Sequence, residues 1–242
     1  MDPTARVALV TGGARRVGRA LALALADRGA RLAIHHHDSP DLASSLIQQL
    51  SARNIEAAAF QCDLRQADAP DRLVADVMRH FGALDILVNS AAVMVRRPLD
   101  EITPADWDDT FALNLRAPFF CARAAARAMG ERGGVIVNLA DLAGIEAWPA
   151  YAAHGISKAG VIHMTRVLAR ILAPRVRVNA IAPGAVLLPE SWSADDAAHL
   201  ERTTPLHRLG SPGDVAQAMM YLIEADYVTG DLVIVDGGRH VR

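Results

Sequence analysis

Lys158 is the only lysine among the 25 Lys and Arg residues of the chain. Its retention in a sequence that otherwise uses arginine points to a need for a compact ammonium, which the planar guanidinium fork does not replace. Four residues earlier stands His154, and seven earlier stands Tyr151. Residues four apart share a helix face and seven is about two turns, so the three project together if the helix starts early enough. A protonated imidazole is a general acid at neutral pH. Lys158 opposes that protonation, whereas Asp141 supports it if the two come close. An imidazole and a phenol near an ammonium are side chains that can move a proton. His163, five residues beyond Lys158, falls off that face and reads as packing.

A second group has the composition of an anion cradle. Thr11-Gly12-Gly13-Ala14-Arg15-Arg16-Val17-Gly18 follows a short aliphatic run and precedes helical spacing. Glycines there let a backbone approach a pyrophosphate, and the following helix offers unpaired amides and the positive end of its dipole.

These residues need a frame. Val7 to Val10, Arg31 to His35, Ala57 to Phe60, Leu84 to Val88, Val135 to Leu139, Arg175 to Ala180 and Leu232 to Val235 read as strands. Helical spacing fills Val17 to Ala26, Asp41 to Leu50, Asp71 to His80, Trp107 to Met129, Tyr151 to Leu172 and Asp214 to Ile223. Strand–helix alternation with near-continuous apolar strands implies an α/β fold with a parallel sheet covered on both faces. Such sheets bind ligands at the carboxyl ends of their strands, where the glycine turn lies. The stretch from about 186 to 208 reads as one long irregular loop, with Leu188 and Trp192 placed to cover a substrate or a subunit neighbour.

Composition narrows the function. The chain has 242 residues, a net charge of −2 and 52% hydrophobic residues, which suits one globular domain and excludes a disordered or collagen-like chain. Without a clustered basic surface it is not a dedicated nucleic-acid binder. The N-terminal apolar run is too short for a signal segment, and no run of about 18 apolar residues exists, so a cytoplasmic protein with no membrane contact is expected. Cys62 and Cys121 have no metal or redox spacing. His35 to His37 do not make a metal site, because strand neighbours point to opposite faces.

The motifs, taken in order, resemble the short-chain dehydrogenase/reductase family along the whole chain. They are the Thr11-Gly12 turn, Asp63 after the third strand, Asn89-Ser90-Ala91 after the fourth, Asn114 in a helix, Lys158, and Pro183-Gly184 after the sixth. The resemblance implies a single Rossmann-type domain with about seven mostly parallel strands, a nicotinamide cofactor, a small-molecule substrate and a homotetramer. It places the cofactor against Gly12, Arg15, Arg16, Val17, His36, His37, Ser39, Asp63, Leu64, Asn89, Ser90, Ala91, Lys158, Pro183, Gly184 and Val186. Lys158 would hold ribose hydroxyls, and Asn114 a helix irregularity and a water in the proton path. His36 stands where NAD users carry an acid. Arg15, Arg16 and Ser39 suit a 2′-phosphate instead, so NADP(H) is favoured over NAD(H), with Asp38 as the opposing charge.

Two of the family's four catalytic positions differ: His154 replaces the tyrosine and Asp141 the serine. Arg16 and Asp141 resemble the pteridine reductase and dihydromonapterin reductase branch, whereas Met94 and Ala92 depart from it. Two functions follow. One is a reductase of a carbonyl or C=N group, a dihydropteridine being its sharpest form, with Lys158, His154, Asp141, Asn114 and Tyr151 as catalytic residues. The other is a dinucleotide-binding or sensing protein whose proton relay is impaired.

Overall fold

The structure is a computed structural model that describes residues 1–188 and 193–241. Seven strands lie side by side: β1 (Val7–Thr11), β2 (Arg31–His36), β3 (Ala57–Gln61), β4 (Ile86–Asn89), β5 (Gly134–Leu139), β6 (Val176–Pro183) and β7 (Leu232–Val235). Their order is β3-β2-β1-β4-β5-β6-β7 and every pair is parallel. The order reverses between β1 and β4, which opens a crevice at the carboxyl ends of those two strands.

The period-two alternation of each strand sorts its side chains between two cores. Val7 and Leu9 of β1 face one side with α3 (Ala69–Phe81), α5 (Ala117–Met129) and α6 (Ala152–Leu172). Ala8 and Val10 face the other with α1 (Arg16–Asp27), α2 (Pro40–Ser51) and α8 (Pro212–Glu224). This is the doubly wound, single-domain Rossmann-type architecture that the family resemblance implies, on the parallel sheet that the alternation predicts.

Three elements differ from the sequence expectation. The helix read as Trp107 to Met129 is two helices, α4 (Pro104–Phe111) and α5, joined by a π-helical turn at Ala112–Arg116 that contains Asn114. The extra residue per turn swings Asn114 inward, and its side chain supplies the reason, as described below. The stretch read as one irregular loop contains α7 (Ala194–Thr203), opened by a capping box between Ser193 and Asp196. Only Leu200 of α7 is buried, so an apolar stripe is nearly absent. Trp192 lies outside the described residues. Finally, α6 starts at Ala152, one residue after Tyr151, whose φ of −130° and ψ of 35° are not helical.

No described helix is long and apolar enough to cross a membrane. Among the described residues no group of three or more His, Cys, Asp or Glu is arranged to hold a metal, and Cys62 and Cys121 are free.

Candidate active site

The turn after β1 is built by close approach. Gly12 has φ of +64°, and a Cβ on Gly18 would lie 2.2 Å from the Gly12 carbonyl oxygen, so helix α1 comes down onto the turn only with glycine there. The amides of the two leading glycines are already used. Gly12 N–H donates to His35 Nδ1 at 3.1 Å and Gly13 N–H to the His35 carbonyl at 3.0 Å. What remains for an anion is the start of α1, which has no side-chain cap and no acidic residue in its first turn. A narrow backbone cradle leading to open helix amides fits a dinucleotide pyrophosphate.

His35 is a structural residue that sequence reasoning left without a task. It is buried, and its Nε2 lies 3.1 Å from the Cys62 carbonyl. Nδ1 accepts from Gly12, so Nε2 carries the proton and the ring is neutral. Burial pushes its pKa down to about 4 from an ordinary 6.5. The folded state thus prefers the uncharged ring. Stability is full above about pH 6.5 and falls towards pH 4, because the unfolded chain takes up the proton first. The expected loss over that window is about 3 kcal/mol. Urea midpoints at pH 7 and pH 4.5 should fall further in the wild type than in His35→Gln, and equal falls would refute this role.

The region after β2 is more crowded than expected. Arg16 keeps a left-handed φ of 51° despite its side chain, and Nη2 donates to the Leu187 carbonyl at 3.2 Å. Arg15 lies 4.0 Å from the Asp38 carboxylate, which also accepts from Ser39 Oγ at 3.2 Å. The Ser39 bond and then the Arg15 charge hold the Asp38 carboxyl below its usual range. Arg15 and Ser39 therefore converge on one anion, Asp38, at the strand end. His36 is buried with Nδ1 unpartnered, while His37 is exposed. Asp63 accepts from the Arg65 amide at 3.0 Å and pairs with its guanidinium, and Leu64 is in the core.

After β4, the Thr11 hydroxyl accepts the amides of Ser90 at 2.9 Å and Ala91 at 3.1 Å, tying two switch-point turns together. Asn89 donates to Asn138, which donates to Thr165, each at 2.9 Å, a buried chain through β4, β5 and α6. Pro183 ends β6, and Gly184 donates to the Val235 carbonyl at 2.9 Å. Val186 follows, half-buried against Gly210.

The proposed catalytic residues meet where α6 packs on the turn after β5. A Cβ on Gly144 would lie 2.8 Å from the Lys158 carbonyl carbon, and one on Gly155 would lie 2.8 Å from the Ala143 carbonyl oxygen. This approach sets Asp141 beside His154. Asp141 Oδ1 accepts the Ala143 amide at 2.8 Å, and Oδ2 lies 3.6 Å from His154 Nε2. His154 is 3% exposed, and its Nε2 has no hydrogen-bond partner among the described residues. Lys158 is also buried; Nζ donates to the Leu139 carbonyl at 2.7 Å, and burial lowers its pKa to about 8, opposed by Asp141.

Asn114 completes the group. Its Oδ1 accepts from Val93 N–H and its Nδ2 donates to the Val93 carbonyl, both at 2.9 Å. Nδ2 also donates to Ser157 Oγ at 3.1 Å. That clasp on residues 93 and 157 is what the π turn serves, and neither Val93 nor Ser157 carried a signal in the sequence. Tyr151 is not brought into the cluster by the helix: its ring packs edge-on to Trp148, with centroids 6.2 Å apart. His163 is exposed rather than packed.

A doubly wound sheet with a glycine turn after β1 and buried Lys158, His154 and Asn114 beside Asp141 defines the class. Residues 12–240 match the family model described as Enoyl-(Acyl carrier protein) reductase, and the chain belongs to this family of short-chain dehydrogenase/reductases. It is 33% identical over 240 residues to the 3-oxoacyl-[acyl-carrier-protein] reductase FabG of Staphylococcus epidermidis, covering 97% of this chain and 98% of that protein. It is 34% identical over 253 residues to Versicolorin reductase 1 of Aspergillus parasiticus, covering 96% and 95%. Among solved structures, a blue fluorescent protein from a metagenomic library in complex with NADPH superposes with a TM-score of 0.92, at 31% identity and 99% coverage of both chains.

Proposed function

We propose that this chain is an NADP(H)-dependent reductase of a carbonyl or C=N group, with His154 as the proton donor. The observation that carries the reading is the unpartnered Nε2 of buried His154, 3.6 Å from Asp141 and on one helix with Lys158. The cofactor, when bound, supplies the hydride. Lys158 has three ammonium hydrogens and spends one on Leu139, leaving two for ribose hydroxyls. His154 delivers a proton from Nε2 to the substrate oxygen or nitrogen as the carbon receives hydride, with the Asp141 carboxylate 3.6 Å from that nitrogen. Asn114 belongs to the group through Val93, and Tyr151, packed on Trp148, is the alternative acid.

NADPH in the related blue fluorescent protein supports the cofactor, with Arg15, Arg16 and Ser39 as the residues for a 2′-phosphate. Gly12, Val17, His36, His37, Asp63, Leu64, Asn89, Ser90, Ala91, Pro183, Gly184 and Val186 line the remainder of the cleft in this reading. The relatives' names point to a ketone. Asp141 adds the C=N alternative, since a carboxylate accepts from the aminopyrimidine edge of a dihydropteridine and opposes a developing alkoxide. Assembly as a homotetramer, which the family resemblance implies, would give a partner surface to the apolar groove between α4, α5 and α6, where Phe119 and Val167 are exposed.

Following NADPH and NADH oxidation with dihydropterins, ketones, quinones and cyclic imines over about pH 5–8 tests the reading. Turnover with NADPH faster than with NADH is expected. Tight cofactor binding with no turnover on any of these substrates would transfer the protein to the binding or sensing class.

A further inference from the structure

We infer that Asn114 is a positioning residue that fixes the tautomer of His154 through the Val93 peptide, so that Nδ1 always carries a proton and Nε2 alone exchanges it. The inference rests on counting donors. Asn114 grips both polar groups of Val93, its Oδ1 on the amide and its Nδ2 on the carbonyl, each at 2.9 Å. A flipped amide would set oxygen against oxygen and nitrogen against nitrogen, so this clasp determines which way the side chain points. The amide nitrogen has two hydrogens. One goes to the Val93 carbonyl and the other to Ser157 Oγ at 3.1 Å. Ser157 is free to accept because its own hydroxyl donates to the His154 carbonyl at 2.7 Å.

Nothing is left for the imidazole. His154 Nδ1 lies 3.4 Å from Asn114 Nδ2 and 3.0 Å from the Val93 carbonyl oxygen. With the amide hydrogens committed, a bare Nδ1 would face that oxygen lone pair to lone pair. A protonated Nδ1 donates to it instead. The tautomer with hydrogen on Nδ1 leaves Nε2 as the basic nitrogen, turned towards Asp141. The charged groups around the ring are Asp141, on the turn after β5, and Lys158, on the ring's own helix; the π turn presents neutral Asn114 and the loop after β4 the neutral Val93 peptide. The catalytic meaning rests on the reductase reading. The protonation pattern does not, and it is measurable without turnover.

The test is imidazole ¹⁵N NMR of histidine-labelled protein from about pH 5 to 9, with His154 assigned by its loss in His154→Phe. The expected wild-type spectrum keeps Nδ1 protonated at every pH, with any exchange of a proton confined to Nε2. A bare Nδ1 at any pH overturns the inference, and the wild type alone gives this result. In Asn114→Ala the Val93 peptide loses its clasp, and averaged shifts from a mixture of tautomers are expected. A pure Nδ1–H tautomer in that variant would show that Asn114 does not set it. A silent activity assay beside an intact Nδ1–H signature would count against the reductase reading and leave the tautomer assignment standing.

Discussion

Lys158→Met should abolish turnover and at the same time make the protein more stable at neutral pH. The ammonium is buried, and burial lowers its pKa from 10.5 to about 8. A base whose folded pKa lies below its unfolded value costs stability wherever it must be charged in both states. That cost is complete below about pH 8 and disappears as pH rises towards 10.5, because over this window the unfolded chain holds the proton more tightly. The shift is worth about 3 kcal/mol as an upper figure. Methionine fills the same space without the charge and gives up the bond to Leu139, worth about 1 kcal/mol. A net gain of about 1–2 kcal/mol is expected at pH 7, shrinking towards pH 10. Turnover should fall by a factor of about 10²–10⁴, since two charged hydrogen bonds to the ribose are lost. Urea melts at both pH values with NADPH titrations check this. A variant less stable than wild type at pH 7, or one that retains turnover, would refute it.

His154→Phe is expected to lower kcat by a factor of about 10²–10⁴ with little change in cofactor affinity. Phenylalanine keeps an aromatic ring in the buried position and removes the proton donor together with the Nδ1 bond to the Val93 carbonyl. The Val93 carbonyl remains bonded to Asn114 Nδ2, so folding is little affected. Tyr151→Phe is the paired measurement. Tyr151 sits before α6 begins, and its ring is packed on Trp148. Its loss should change kcat by no more than a few-fold. If instead Tyr151→Phe is inactive and His154→Phe retains full activity, the acid is Tyr151 and His154 is a structural member of the Asn114 network.

Much of this molecule was legible before its coordinates. Seven short apolar runs alternating with helical spacing are local patterns, and local patterns survive folding because each strand and helix must bury its own face. All seven strands form, with ends moved by a few residues, as where β6 continues beyond Ala180 to Pro183 to pair with β7. The grouping of Lys158, His154 and Asp141 was expected from the family resemblance, and Asp141 Oδ2 does lie 3.6 Å from His154 Nε2. Elements with weak periodicity were missed. Helix α7 buries a single leucine, and the π turn at Ala112–Arg116 has no pattern of its own, since its cause is a side chain reaching residues 93 and 157.

The sequence by itself determined the sheet, the glycine turn, the family and the residue types available for proton transfer. Only the tertiary structure decided how those residues are used. His35 became a neutral strut under the phosphate turn, Arg16 reached the Leu187 carbonyl, Tyr151 fell outside the helix, and His154 came to rest between Val93 and Asp141. The physical reason is one of range. Propensity and burial act over a few residues along the chain. Hydrogen-bond partners and tautomers depend on which donors and acceptors remain unspent once segments separated by tens of residues have been packed together.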